Sequence, residues 1–296
     1  MTRSISFGSR STADQVLAGV DLSRKRVLVT GCNSAVGLAT MRALRANGAL
    51  LIGVAGTQEE AETACRAVGR SVIALGCDPT DPASVDAAIE LLGRLPSPLD
   101  ALIVNPFEVR CFADHVAQFV FVNRLAELVR QRNGRIAIGV DGTAMIEAST
   151  QHVTFDDLTN ERLYDLQAFR GQAELATALF AKELSRRLQA RGVAVNAFHA
   201  EPAGNRDPRD ARSAARRLFD PFLRYFAKPP ARLAATPALL AASPLVAGVT
   251  GESWSACQIS GGSQLSTDAG LAKRLWELSA QLAERMRIGL SPHRQV

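Results

Sequence analysis

A chain of 296 residues that is 47% hydrophobic can bury a full core, and 21% charged with 5% aromatic residues excludes a disordered polymer. The net charge of +5 comes from scattered basic residues, mostly arginine, with no basic stripe, so no nucleic-acid partner is expected. Cys32, Cys65, Cys77, Cys111 and Cys257 form no CxxC pair and no His/Cys ligand set, which reads as reduced thiols and no metal. No run of about 18 apolar residues occurs and residues 1–16 lack an apolar leader segment, so a cytoplasmic location away from membranes is expected.

Residues 1–24 read as a polar N-terminal arm, with Ser11 or Thr12 capping a short helix through Val16 and Leu17. A β-branched strand over 26–30 runs into a glycine, and apolar spacing predicts a helix over 35–47. A strand over 50–54, a helix over 58–68 and a strand over 72–76 follow. Asp81-Pro82 opens the next helix, with Asp at the cap and Pro at the first helical position. Then come a strand over 99–104, a long helix over 112–131, a strand over 135–140, the longest helix over 163–191 and a strand over 193–199. Two helices within 207–242, one strand over 253–258 and a helix over 268–287 complete the order. The strands are apolar along their whole length rather than alternating, which marks a parallel sheet covered on both faces. The expected fold is a single Rossmann-type, doubly wound, three-layer αβα domain spanning residues 25–290.

The first strand leads into Thr30-Gly31-Cys32-Asn33-Ser34-Ala35-Val36-Gly37. Glycines at such a turn let the backbone approach a pyrophosphate at a helix N-terminus, and here alanine stands in place of the middle glycine. Together with LDALIVN, DHVAQFVFVNRL, VTFDDLTNERLYD, FRGQAELATALFAKELSRRL and SPLVAGVTG, this segment makes the chain resemble the short-chain dehydrogenase/reductase family. The nearest likeness is to its retinol-dehydrogenase-like branch, over about residues 12–285. In that family a tyrosine donates a proton to the substrate carbonyl as hydride arrives from the nicotinamide. A lysine one turn later lowers the tyrosine pKa, a serine polarises the carbonyl and an asparagine supports a relay water.

The resemblance places the tyrosine and lysine at Arg170 and Glu174, the serine at Asp141 and the asparagine at Asp114. Asn123 falls too near the fifth strand to be that asparagine and matches a later, non-catalytic one. Arginine stays protonated and cannot act as a general acid, and glutamate inverts the charge that would stabilise a phenolate. Tyr164 and Tyr225 are the only tyrosines, and neither is followed four residues later by lysine. Hydride transfer is therefore not expected. The four charged residues read either as an ion-pair cluster in a vacated pocket or as a new acid–base site.

Gly31, Gly37, Asp78 and Asn105 keep family positions for NAD(P), but Gly56 stands where relatives place a cofactor-selecting side chain. The family's Asn-Ala-Gly is here Asn105-Pro106-Phe107, with the phenylalanine expected to fill the ribose pocket, and the stretch from Asn105 to Asp114 is a dozen or so residues short. His199-Ala200-Glu201 replaces a His-Pro-Gly. No bound cofactor is expected. Cys32 and Cys111 read as inert thiols, His115 and His199 as packing residues, and Leu175, Leu179, Leu184 and Leu188 as a core and subunit stripe.

The resemblance implies a homo-oligomer, or a hetero-oligomer with an active family member, through helices 112–131 and 163–191. The leading expectation is a non-catalytic structural or regulatory subunit. The alternatives are a cofactor-independent isomerase, lyase or cyclase built on the four charged residues, and an atypical NAD(P)-dependent oxidoreductase.

Overall fold

The computed structural model describes residues 5–106, 112–131, 133–141, 166–200, 228–260 and 266–287. Its elements run α1 (Ala13–Val16), β1 (Arg26–Thr30), α2 (Ala35–Ala46), β2 (Leu50–Ala55), α3 (Gln58–Val68), β3 (Ile73–Gly76), α4 (Pro82–Gly93) and β4 (Ala101–Val104). They continue with α5 (Phe112–Glu127), β5 (Arg135–Asp141), α6 (Leu166–Leu188), β6 (Ala194–Ala200), α7 (Pro230–Leu233), α8 (Ala235–Ala242), β7 (Ser253–Ser255), β8 (Gln258–Ile259) and α9 (Ala269–Arg287). One sheet in the order β3-β2-β1-β4-β5-β6-β7-β8 holds all these strands, with only β8 antiparallel to its neighbour. This is the doubly wound α/β fold read from the sequence. The chain reverses its winding between β1 and β4, which opens a crevice at the carboxyl ends of those strands.

Continuous apolar strands are explained by two cores. Val27, Val29, Ala101, Ile103 and Ala137 face a layer made by α1, α2, α3 and α8. Leu28, Leu102, Val104, Ile136 and Ile138 face the opposite layer of α4, α5 and α6. Successive residues thus serve opposite cores, and neither face tolerates a polar alternation. The N-terminal arm joins the first core through Ala13, Val16, Leu17 and Leu22, and the Thr12 cap expected for α1 is present with Gln15 in a reciprocal capping box.

Two expectations change. The strand expected over 253–258 is a hairpin, because Ala256 and Cys257 take φ of 50° and 63° and turn the chain between β7 and β8. Thr236 Oγ1 accepts the Cys257 N–H at 3.0 Å and fixes that turn from α8. The helix expected to reach 131 stops at Glu127, since the Leu99 N–H donates to Leu128 O and the Arg130 N–H to Leu99 O, peeling the chain back to the sheet. Of the stretch 207–242, expected as two helices, the described part from 228 onward holds α7 and α8, and 201–227 lie outside the described residues. Among the described residues no helix is long and apolar enough to cross a membrane, and no group of three His, Cys, Asp or Glu could hold a metal.

Candidate functional site

The crevice is lined first by the glycine loop. Gly31 takes φ +58°, a conformation that favours glycine. A Cβ on Gly37 would lie 2.3 Å from Gly31 O, so the second glycine is required by the tight return of the chain. Ser34 caps α2: its Oγ accepts the Gly37 N–H at 3.0 Å and donates to Gly31 O at 2.8 Å. The first turn of a helix has no intrahelical acceptors for its N–H groups, which leaves those of Ala35 and Val36 for an anion. This cradle has the shape to hold a phosphate.

Asn105 closes the crevice floor. Its N–H donates to Thr30 Oγ1 at 3.1 Å and its Nδ2 to Thr30 O at 2.7 Å, which staples the end of β4 to the end of β1. Asn105 Oδ1 is buried without a partner. Asp78 turns inward on its own loop, its Oδ1 accepting the Thr80 N–H at 2.8 Å and the Thr80 hydroxyl at 2.7 Å. After β2, Gly56 leaves open space, with Glu60 Oε2 no nearer than 3.6 Å to where a Cβ would stand. That carboxylate is engaged in capping α3 through the Thr57 N–H.

At the other end of the crevice, Pro106 lies against β5. A Cβ on Gly139 would come 2.6 Å from Pro106 Cδ and 2.9 Å from Phe198 Cζ, so the bare glycine is what admits the pyrrolidine ring. Phe107, the residue expected to fill the pocket, is outside the described residues, and Pro106 beside it is the one seen against β5. The available signal was a proline directly after the strand-end asparagine, matched by a glycine inside β5.

The four charged positions singled out in the sequence come to the same edge of the sheet by topology. Asp114 stands in the first turn of α5, which follows the carboxyl end of β4. Asp141 is the last residue of β5, registered opposite Ala200 of β6. Arg170 and Glu174 lie one turn apart in the first half of α6, which runs back along the sheet from that same edge. Glu174 is buried and Asp114 partly exposed, while the side chains of Asp141 and Arg170 are outside the description. His199, paired with Val140 near this edge, is more than half enclosed, and burial pushes its imidazole pKa below the usual range.

The helix pair α5 and α6 is covered by α9. Leu175, Ala176 and Leu179 pack with Ala272 and Leu275. The Trp276 ring meets Phe119 edge-on at 4.9 Å and stacks on Phe180 at 5.6 Å, and the Arg187 guanidinium lies over it at 4.3 Å. Arg187 also donates to Glu183, a carboxylate buried to 2% exposure and held below its usual pKa range first by the Arg186 hydrogen bonds and then by those of Arg187.

Comparison with known proteins places this geometry. The short chain dehydrogenase family model matches residues 25–106, which contain the glycine loop, Asp78 and Asn105. The chain is 27% identical over 281 residues to human retinol dehydrogenase 13, covering 87% of this chain and 84% of that protein. It is 26% identical over 305 residues to the chloroplastic short-chain dehydrogenase TIC 32 B of Brassica napus, covering 95% of each. The fold matches L-sorbose reductase from Gluconobacter frateurii, solved with NADPH and L-sorbose, at a TM-score of 0.60 and 18% identity over 82% of this chain and 98% of that one. Sheet order, glycine loop and these similarities along most of the chain converge on one likeness: the chain is similar to members of the short-chain dehydrogenase/reductase family and shares their fold.

Proposed function

We propose that this chain is a non-catalytic member of its family, a structural or regulatory subunit that pairs with an active relative. The observation that carries the reading is α6, where Arg170 and Glu174 stand at the tyrosine and lysine positions that the resemblance assigns. A guanidinium has no proton to give near neutral pH, and a carboxylate one turn away opposes a phenolate rather than stabilising it. Asp141 and Asp114 in place of serine and asparagine add to the same argument.

The cofactor groove supports a parallel inference about NAD(P). The phosphate cradle of Gly31, Gly37, Ala35 and Val36 fits a dinucleotide's phosphates. The nicotinamide end does not fit, because Pro106 is seated on Gly139 where a ligand crossing from β4 toward β5 needs bare backbone. No hydride step is derived through such a cofactor. Calorimetric titration with NAD, NADP and their reduced forms, beside a turnover assay on retinal-type aldehydes and small ketones, tests both statements. No turnover is expected. NAD(P)H-dependent turnover by the purified chain that is lost in Arg170→Ala would overturn the reading and establish the atypical oxidoreductase.

Pairing through α5 and α6 has a physical condition attached. Since α9 lies over both helices, a related subunit either meets the outer side of α9, lined by exposed Lys273, Arg274, Glu277, Glu284 and Arg285, or displaces the helix. Co-purification of a tagged chain with an intact family member from the same cells is the expected outcome. Recovery from native extract only as an isolated homo-oligomer counts against the pairing. The burial of Glu174 supports a second reading, a cofactor-independent isomerase, lyase or cyclase with Asp141, Glu174 or Asp114 as base and Arg170 as anion anchor. That reading requires Glu174→Gln to abolish a turnover that needs no dinucleotide.

A further inference from the structure

Gly53 lies within β2, beneath α3, and its missing side chain leaves a space that two sulfurs share. A Cβ built there would stand 2.6 Å from Cys65 Sγ, 3.2 Å from Cys32 Sγ and 3.1 Å from Cys32 Cβ. Cys32 belongs to the glycine loop, its N–H donating to Val54 O at 3.0 Å. Cys65 belongs to α3, with its Sγ 3.6 Å from Ile73 O. Both sulfurs therefore border the same small space beside β2. No other described cysteine has such a neighbour: Cys77 meets the Ser84 hydroxyl and Cys257 that of Thr236. A helix and a strand separate the two cysteines along the chain, so their proximity is not visible in the sequence.

We propose that Cys32 and Cys65 are a reversible disulfide site, closed by a small peroxide, that ties the glycine loop to α3. Both sulfurs border the space that Gly53 leaves bare, so the bond forms across it. Cys65 is the nucleophile: the neighbouring Cys32 holds its thiol below the usual range, while Cys65 and burial push Cys32 up. The Cys65 thiolate attacks one peroxide oxygen, the O–O bond breaks, and the departing hydroxide is protonated to water. Cys32 sulfur then attacks the resulting sulfenic acid, the S–S bond forms as the S–O bond breaks, and the second hydroxide leaves as water with the Cys32 proton. Two thiols lose two electrons and one peroxide gains them.

Enclosed thiols are ordinarily inert, and Cys32 is fully buried with Cys65 at 2% exposure. Cys32 is nevertheless adjacent in the chain to exposed Asn33 and Ser34, so opening of this surface loop admits a molecule as small as hydrogen peroxide. Once formed, the bond restricts the phosphate cradle, because Cys32 lies between Gly31 and Ser34. This site is independent of the non-catalytic reading.

The test uses the full-length chain. It is treated with millimolar hydrogen peroxide, denatured, alkylated without reductant and mapped by mass spectrometry. The expected product is a Cys32–Cys65 crosslinked peptide that dithiothreitol reverses, with Cys77 and Cys257 still alkylated. The thermal midpoint is expected to rise by about 5 °C on oxidation and to return on reduction, as for a crosslink that constrains the unfolded chain. Cys65→Ser abolishes both effects. Recovery of both cysteines as alkylated thiols, their conversion to sulfinic acid, or crosslinking to other cysteines overturns the proposal.

Discussion

His115 lies buried between α5 and α9, with Ser279 Oγ 3.3 Å from its Nε2. Desolvation lowers its pKa to about 4, so the ring is neutral throughout the physiological range. The sign of the consequence follows from linkage. Below about 6.5 the unfolded chain takes up a proton that the folded chain refuses until about pH 4, so stability falls as pH falls through that window. The full loss is about 3 kcal/mol from this residue. Urea unfolding at pH 7.0 and pH 4.5 should show a smaller drop for His115→Gln than for the unmodified chain. An equal drop in both removes His115 as the cause. The same kind of local accounting explains Gly139, whose lack of a side chain decides whether Pro106 can sit on β5.

Among elements, α9 has the most to say about association. Its inner side carries Ala272, Leu275, Trp276 and Ser279, and its outer side is charged, so the helix turns an apolar face of α5 and α6 into a polar surface. Trp276→Ala removes the ring that joins Phe119, Phe180 and Arg187 and is expected to cost about 3 kcal/mol in urea unfolding. A chain ending at residue 267 uncovers Leu175, Leu179, Phe119 and Phe180. Light scattering should then find more self-association than for the full chain at equal concentration. A truncated chain no more associated than the full one would show that α9 does not shield this face.

At the scale of the molecule, stability is concentrated in the middle of the sheet. Leu28, Leu102, Ile103 and Ile138 are essentially fully buried in β1, β4 and β5, each such side chain contributing about 1.5–3 kcal/mol relative to exposure. The margins differ: Ile73 of β3 and Ile259 of β8 are exposed, and β8 is two residues long. Hydrogen exchange should therefore find the slowest amides in β1, β4 and β5 and early exchange in β8. Equal protection across all strands would mean that the sheet opens only globally. The glycine-loop crevice sits against these central strands.

Much of this was legible in the chain itself. Period and composition settle the parallel, doubly covered sheet, because runs such as 27–29 and 101–104 are apolar at successive positions and so must be buried on both faces. Local chemistry likewise determines the caps at Thr12 and Asp81 and the glycines of the loop. The identities at 114, 141, 170 and 174 were also readable, as charges where the resemblance places an amide, a hydroxyl, a phenol and an amine. What the sequence could not determine depends on residues distant in the chain. The Ala256-Cys257 turn carries no glycine or asparagine and is held by Thr236. Pro106 meets Gly139 only through strand pairing, α9 meets α5 and α6 only after the sheet is wound, and Cys32 meets Cys65 only because β2 carries a glycine between them. Periodicity records which face of an element is buried, whereas the partner on that face is decided by tertiary packing.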